Sequence, residues 1–445
     1  MNVRPTIQEQ LTLRRYLERY AETIVQDINV ECFNEFETVI VVPVYDESDA
    51  DLEHFLEHQR QSQKQQSTLL IWVFNAPESS VGSTRQIRTQ QVFTNLLLKT
   101  RAKKLSETLY LSKVQDTLQV LCVDRCHELL IPDKQGVGLA RKLGMDLALS
   151  LIYQQYLKNN TWCYWIYSTD ADVELPSNYG VIPPKVNTVA CLYPFQHVPE
   201  TGFERAMSEY EFSLHYYVES LKHAGSPYAF HTIGSLIVVS SIAYAQVRGM
   251  PKRAGAEDFY LLNKLAKLGD IESLNAPSIQ ISGRPSHRVP FGTGPALVKI
   301  TSQYEDGQSF DVYHPRNFLL LALVLESVSE IEHSNAEEDI LLSRLASKLS
   351  DQQERDIPSE ILIGLGWKKQ AIHLARLKTS EAIQKAFHVW FDGFITLRFI
   401  HECRDRLHPN ISLADLPDEL TRVMGNEFIR GNEFDYITWF KTLGI

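Results

Sequence analysis

The sequence predicts an α/β domain built on a mostly parallel sheet, followed by an all-helical C-terminal domain. Three observations predict it. Short continuous runs of β-branched and aromatic residues recur between residues 39 and 167, each closing in a polar loop. Stretches with apolar residues at the helical period separate those runs, which is the grammar of buried parallel strands joined by helices. Beyond residue 315 the runs stop and only the helical period continues.

Each element has its own signal. From Thr6 to Ile28, Leu11, Leu13, Tyr16, Leu17, Tyr20, Ile24 and Val25 fall at helical spacing among charges, which predicts one amphipathic helix in an N-terminal helical segment, 1–34. Val39–Val44 is a buried strand that runs into Tyr45-Asp46-Glu47-Ser48. Leu69–Phe74 runs into Asn75, Leu118–Val123 into Asp124, and Trp162–Tyr167 into Ser168-Thr169-Asp170. Helices are predicted between them at Ala50–Gln65, Thr84–Leu105 and Gly138–Tyr156. In such sheets ligands bind outside the carboxyl ends of the strands, where these polar residues stand. The α/β domain is placed at 35–312. A helical domain at 313–445 follows, with helices over Asn317–Leu349, Gly366–His401 and Leu413–Leu443, joined by turns at Asp351–Pro358 and Leu407–Ile411.

Composition narrows the function classes. The 445 residues carry 44 Lys and Arg against 55 Asp and Glu, a formal charge of -11. A surface of that sign repels phosphate backbones and anionic lipid, so nucleic acid is not expected as a partner. The longest apolar run, Phe318–Leu325, is far short of the ~20 residues that span a bilayer, so no transmembrane segment is expected. The amino terminus lacks the apolar core of a signal peptide, and a cytoplasmic chain is the expectation. Six cysteines in this length are no disulfide framework. Cys122 and Cys126 beside His127 suggest a metal cluster, but no second pair completes four ligands, so reduced, buried thiols are expected.

Several segments carry candidate chemistry. Asp170 and Asp172, two apart in a loop that closes an apolar strand, can aim both carboxylates at one oxygen-ligated cation such as Mg2+ or Mn2+. Gly136 and Gly138 open a helix whose unpaired N–H groups suit a phosphate, or they are a plain glycine-rich turn. Arg141 replaces the third glycine of a dinucleotide fingerprint, and no P-loop occurs. Glu257 and Asp258 start a helix behind a loop with Lys252 and Arg253, either as dipole-complementing caps or as an acidic functional edge. Arg284, His287 and Arg288 concentrate donors in a glycine-flanked loop suited to a diphosphate. The aromatics and histidines of Glu209–His231 read as helix core or as faces for a sugar ring.

Taken in order, Val41-Val42-Pro43-Val44-Tyr45-Asp46-Glu47, Gly138-Leu139-Ala140-Arg141, Asp170-Ala171-Asp172 and Glu257-Asp258 resemble the motifs of a family 2 glycosyltransferase of the GT-A fold, over residues 35–300. The resemblance implies a Rossmann-like sheet, a nucleotide-sugar donor at the strand ends, a hydroxyl acceptor on a small molecule or glycan, and a divalent cation, Mn2+ or Mg2+. Asp170 and Asp172 match the metal motif, with His287 as a further ligand. Asp258 matches the catalytic base, with Glu257 beside it. Pro43, Tyr45 and Glu47 lie in the loop that holds the nucleotide, and Asn75, Arg141, Asp170 and Arg288 complete the implied donor contacts. Asp46 stands where the family usually has asparagine, and Asn75 where it usually has an aspartate at the base or ribose. No Gln-x-x-Arg-Trp motif occurs, so the implied enzyme is non-processive, and in-line attack would invert the anomeric centre.

Two other readings use the same residues. A sugar-phosphate nucleotidyltransferase also combines an α/β sheet, a glycine-rich loop and metal-binding aspartates, and it releases pyrophosphate. A catalytically inactive scaffold on this fold would bind a nucleotide and transfer nothing. The C-terminal helices are expected to shape an acceptor pocket or to make a homodimer.

Overall fold

A computed structural model describes residues 4–62, 66–185, 187–284, 292–331, 340–425, 435, 436, 438 and 439. Its strands in chain order are β1 (Thr38–Val44), β2 (Thr68–Asn75), β3 (Lys103–Lys104), β4 (Leu109–Gln115), β5 (Leu118–Arg125), β6 (Trp165–Ser168) and β7 (Val173–Glu174). Then come β8 (Thr188–Leu192), β9 (Phe195–Pro199), β10 (Ile237–Ser240), β11 (Asp270–Ser273), β12 (Ile279–Gly283), β13 (Asp311–Val312) and β14 (Ile411–Ser412). The first helices are α1 (Ile7–Arg19), α2 (Asp49–Ser62), α3 (Thr84–Thr100), α4 (Gly136–Asn159), α5 (Glu204–His223), α6 (Ser241–Gln246) and α7 (Glu257–Leu265). The later ones are α8 (Thr293–Glu305), α9 (Pro315–Ser329), α10 (Ile340–Ser347), α11 (Gln352–Gly364), α12 (Trp367–Leu374), α13 (Ser380–Trp390), α14 (Gly393–Arg406) and α15 (Leu416–Met424). The chain divides into two compact units, Met1–Glu200 with Thr232–Gly292, and Thr201–His231 with Thr293–Ile445.

The first unit is mixed α/β. Its nine-stranded sheet has the order β11-β8-β10-β6-β1-β2-β5-β4-β3. The four central strands, β6, β1, β2 and β5, are mutually parallel, and β10 and β4 run against them. The whole of β2 is buried, as expected of a strand covered on both faces. Helix α4 lies on β1 and β2 and is buried from Gly138 through Ile152. Gly144 permits this approach, because a Cβ there would stand 2.4 Å from Val41 Cγ1 and 3.1 Å from Val73 Cγ2.

Strands β2 and β5 extend the sheet to one side of β1, whereas β6 returns to the other. This reversal of strand order is where open α/β sheets bind ligands. Pairing of β1 with β6 ends at Val41↔Ser168, while β1 continues beside β2 to Val44. Residues 169–172 leave the sheet there. Pro43 falls in the stretch of β1 paired with β2 alone, so its missing N–H interrupts no bond toward β6.

The predicted helix over 6–28 is shorter. Helix α1 ends at Arg19, and 3-10 turns follow at Thr23–Asp27 and Val30–Cys32. Buried Asp146 accepts the Glu22 N–H at 2.8 Å, and Tyr16 Oη and Lys142 Nζ also bond this carboxylate, so a contact from α4 turns the chain.

The second unit is almost wholly helical. Phe212 and Tyr216 of α5 are buried with Phe318, Leu321 and Val324 of α9 and with Phe387 and Phe399. The expected turn at Leu407–Ile411 ends in β14, which pairs Ile411 with Val312 and Ser412 with Asp311. No described helix is long and apolar enough to cross a membrane.

Candidate functional site

Helix α4 carries Arg141 to the carboxyl ends of β1 and β6, where its side chain is only 4% exposed. Its guanidinium makes four bonds. Nε donates to Glu257 Oε1 at 3.1 Å, Nη1 to Ser168 Oγ at 2.9 Å and to the Thr169 carbonyl at 3.3 Å, and Nη2 to Asp170 Oδ1 at 2.6 Å. Burial opposes the charge, yet Asp170, Glu257 and Asp258 together raise its pKa. Gly234 leaves the room this group needs, since a Cβ there would stand 2.5 Å from Nη2.

Glu257 and Asp258 occupy the first turn of α7, behind Ala256 in the left-handed region at φ +59°. That conformation costs a non-glycine residue roughly 1–2 kcal/mol. Glu257 is turned inward onto Arg141. Asp258 accepts the Phe259 N–H at 2.7 Å. Burial and the adjacent Glu257 carboxylate push Asp258 up to about 7, against the Phe259 N–H and Arg141. A carboxyl with that value suits proton transfer near neutrality.

A second ion cluster adjoins the first through the 168–174 segment. Arg284 Nη2 donates to Glu47 Oε2 at 2.6 Å and to Asp172 Oδ2 at 2.9 Å. Glu47 is buried at the end of the loop after β1. Local spacing signals neither pairing, because Arg284 is 237 residues from Glu47 and 112 from Asp172.

The other predicted residues are placed as follows. Pro43 and Tyr45 are half-buried at the end of β1. Asn75 closes β2, and its amide donates to the Val44 and Val73 carbonyls at 3.1 Å, tying the two strand ends together. Asp46 has φ +59° and faces Arg85 and Arg88 of α3 at 3.4 and 3.0 Å. His287 and Arg288 lie outside the described residues. The helix start at Gly136 and Gly138 meets protein: the Gly138 N–H donates to the Arg253 carbonyl at 3.0 Å, and a Cβ on Gly138 would strike the 251–253 backbone. The plain-turn reading of those glycines therefore holds.

Asp170 and Glu257 pair with Arg141, and Glu47 and Asp172 with Arg284, while Asp258 acts on Arg141 through its charge. Four paired carboxylates exceed the charge of two guanidiniums. Asp170 and Asp172 offer only oxygen, and 36% of the Asp170 side chain is exposed. Carboxylate oxygens are the donors that Mg2+ or Mn2+ prefer.

The sequence marks the acids and places Ser168 and Thr169 at a strand end, but it does not signal their bonds to Arg141 or the part played by Gly234. Nothing in a lone Ile-Gly-Ser stretch marks Gly234 as the floor beneath a distant guanidinium.

No known family profile matches the sequence, and no curated protein matches it. Among solved structures, one that it resembles is the mannosyltransferase PcManGT from Pyrobaculum calidifontis in complex with GDP-Man and Mn2+. That likeness has a TM-score of 0.34 and 13% identity, covering 86% of this chain and 94% of that one. It is too loose to assign a reaction.

Proposed function

We propose that this chain is a metal-dependent, nucleotide-sugar-dependent glycosyltransferase of GT-A type, inverting and non-processive. The observation that carries the reading is the acidic cluster at the strand-order reversal, with Asp258 raised to about 7 inside it. Asp170 and Asp172 would hold Mn2+ or Mg2+. When bound, the cation supplies positive charge toward a departing diphosphate. Arg141 fixes Asp170 and Glu257 in place. Arg284 orders Asp172 against the loop after β1, and Pro43, Tyr45, Asn75 and Arg288 serve the donor. Asp258 accepts the proton of the attacking acceptor hydroxyl, and in-line displacement then inverts the sugar carbon.

The test is calorimetric titration of the full chain with nucleoside diphosphates and nucleotide-sugars, with Mn2+, with Mg2+ and with chelator. Metal-dependent binding of one nucleotide, lost in Asp172→Ala, is expected. Donor affinity unchanged in that variant would overturn the assignment. Release of pyrophosphate from a sugar 1-phosphate and a nucleoside triphosphate would replace it with nucleotidyl transfer.

A further inference from the structure

At the end of β5, three unlike metal-binding groups meet within four consecutive residues. Cys126 Sγ stands 3.5 Å from His127 Nδ1 and 3.5 Å from Asp124 Oδ1. His127 Nδ1 is 3.0 Å from Asp124 Oδ1 and 2.9 Å from Oδ2. Around a tetrahedral zinc ion, with Zn–S of about 2.3 Å and Zn–N and Zn–O of about 2.0–2.2 Å, the S···N and S···O edges are about 3.5 Å and the N···O edge about 3.3 Å. The three side chains therefore already outline one face of that tetrahedron.

The backbone of the turn is also held from outside the cluster. The Cys126 carbonyl accepts from Gln86 Nε2 at 3.0 Å and Gln90 Nε2 at 2.8 Å, both on α3. The Arg125 carbonyl accepts the Ala76 N–H at 3.0 Å. Asp124 Oδ1 also accepts the Cys126 and His127 N–H groups at 3.1 and 3.2 Å, which orients it as a metal's outer partners orient a ligand. Without a metal the Cys126 thiol and the His127 ring both hydrogen-bond to the Asp124 carboxylate. A cation in place of the shared protons would meet a thiolate sulfur, a ring nitrogen and a carboxylate oxygen already gathered within 3.5 Å of one another.

We propose that Asp124, Cys126 and His127 form a zinc site, with a water on its fourth, solvent-facing position. Thiolate and imidazole select zinc over the hard cations suited to Asp170 and Asp172. Cys122, the partner that sequence spacing suggests for Cys126, is not in the cluster; Asp124 takes its place. Two strands, β1 and β2, separate β5 from β6. At about 4.8 Å per strand the two sites are roughly 14 Å apart and share no ligand. Binding displaces the Cys126 thiol proton to solvent and leaves the His127 proton on Nε2.

The test is titration of chelator-stripped, reduced full-length chain with Co2+, followed by Zn2+. One thiolate-to-cobalt absorption band saturating at one metal per chain, and abolished by Zn2+, is expected. Cys126→Ser should remove the band. His127→Gln alters a partly exposed side chain, so it should fold and weaken metal binding by more than the roughly 10–100-fold that losing an outer partner costs. Asp172→Ala should leave the band intact. No band in the parent chain, a band that survives Cys126→Ser, or an unchanged affinity in folded His127→Gln would overturn the site.

Discussion

Asp258 sits beside one carboxylate and faces others, and its behaviour with pH follows from that crowding. Its pKa of about 7 in the folded chain lies above the ordinary 3.8, so folding favours its protonated form. The cost of the ionised form accrues from pH 4 to pH 7 and levels off above. Asp258→Asn removes that cost, so its Tm should exceed the parent's by a margin that grows over this range and is then flat; a margin independent of pH would refute the shift. In the proposed role of general base the group must be ionised, so on that reading kcat/KM should climb tenfold per pH unit below 6 and plateau above 8. In Asp258→Asn, transfer should fall by about 10^2–10^4 while donor affinity holds. Arg141 poses the complementary case. Arg141→Met would leave Glu257, only 5% exposed, as an uncompensated buried charge. Losing one partner of such a pair costs about 3–5 kcal/mol, to be read as a lower urea midpoint at pH 8. A shift below 1 kcal/mol would mean that water reaches Glu257.

At the scale of elements, two glycines separate propensity from packing. In α4, Gly144→Ala gains about 1 kcal/mol of helix propensity but pushes a methyl to 2.4 Å from Val41 Cγ1. Overpacking of that kind costs about 1–3 kcal/mol, so net loss of stability is expected in denaturant unfolding. In α11, a Cβ on Gly364 meets nothing within 4 Å, so Gly364→Ala should stabilise by roughly 0.5–1 kcal/mol. The same contrast explains what the sequence makes legible. Val39–Val44 and Leu69–Phe74 are apolar throughout and Leu118–Val123 is broken only by Gln119, and short β-branched or aromatic runs of this kind, each closed by a polar loop, mark strands buried on both faces. The loop acids Asp170 and Asp172 are equally visible, because a polar residue that ends such a run stands at the edge of the sheet. Contacts remote in sequence leave no such mark. The end of α1 depends on Asp146, 124 residues beyond Glu22. Likewise, Arg284 reads in sequence as a donor for diphosphate, and spacing carries no sign of its bonds to Glu47 and Asp172.

For the whole molecule, the informative element is α5. It follows β9 directly in sequence, yet Phe212, Tyr216, Leu221 and Ala224 are buried with residues that begin at Val312. Tyr216 stacks edge-on against Phe318 with ring centroids 5.6 Å apart, and its hydroxyl donates to the Tyr313 carbonyl at 2.8 Å. The crowd of aromatics at 209–231 thus contributes to a helical core assembled from two separate stretches of chain. Periodicity shows that such a helix has an apolar face and is silent on what covers it. The consequence is testable by truncation. A chain ending at residue 312 keeps α5 and loses α9 through α15, which strips the cover from two large aromatic side chains. Deleting a single buried aromatic typically costs about 3–5 kcal/mol, and uncovering two exceeds much of a domain's ordinary stability margin. The 1–312 fragment should therefore bind a hydrophobic-surface dye strongly and elute as aggregate in size exclusion, whereas the full chain does neither. A monomeric fragment with no added dye binding would show that α5 finds other cover, and that its packing with α9 contributes little.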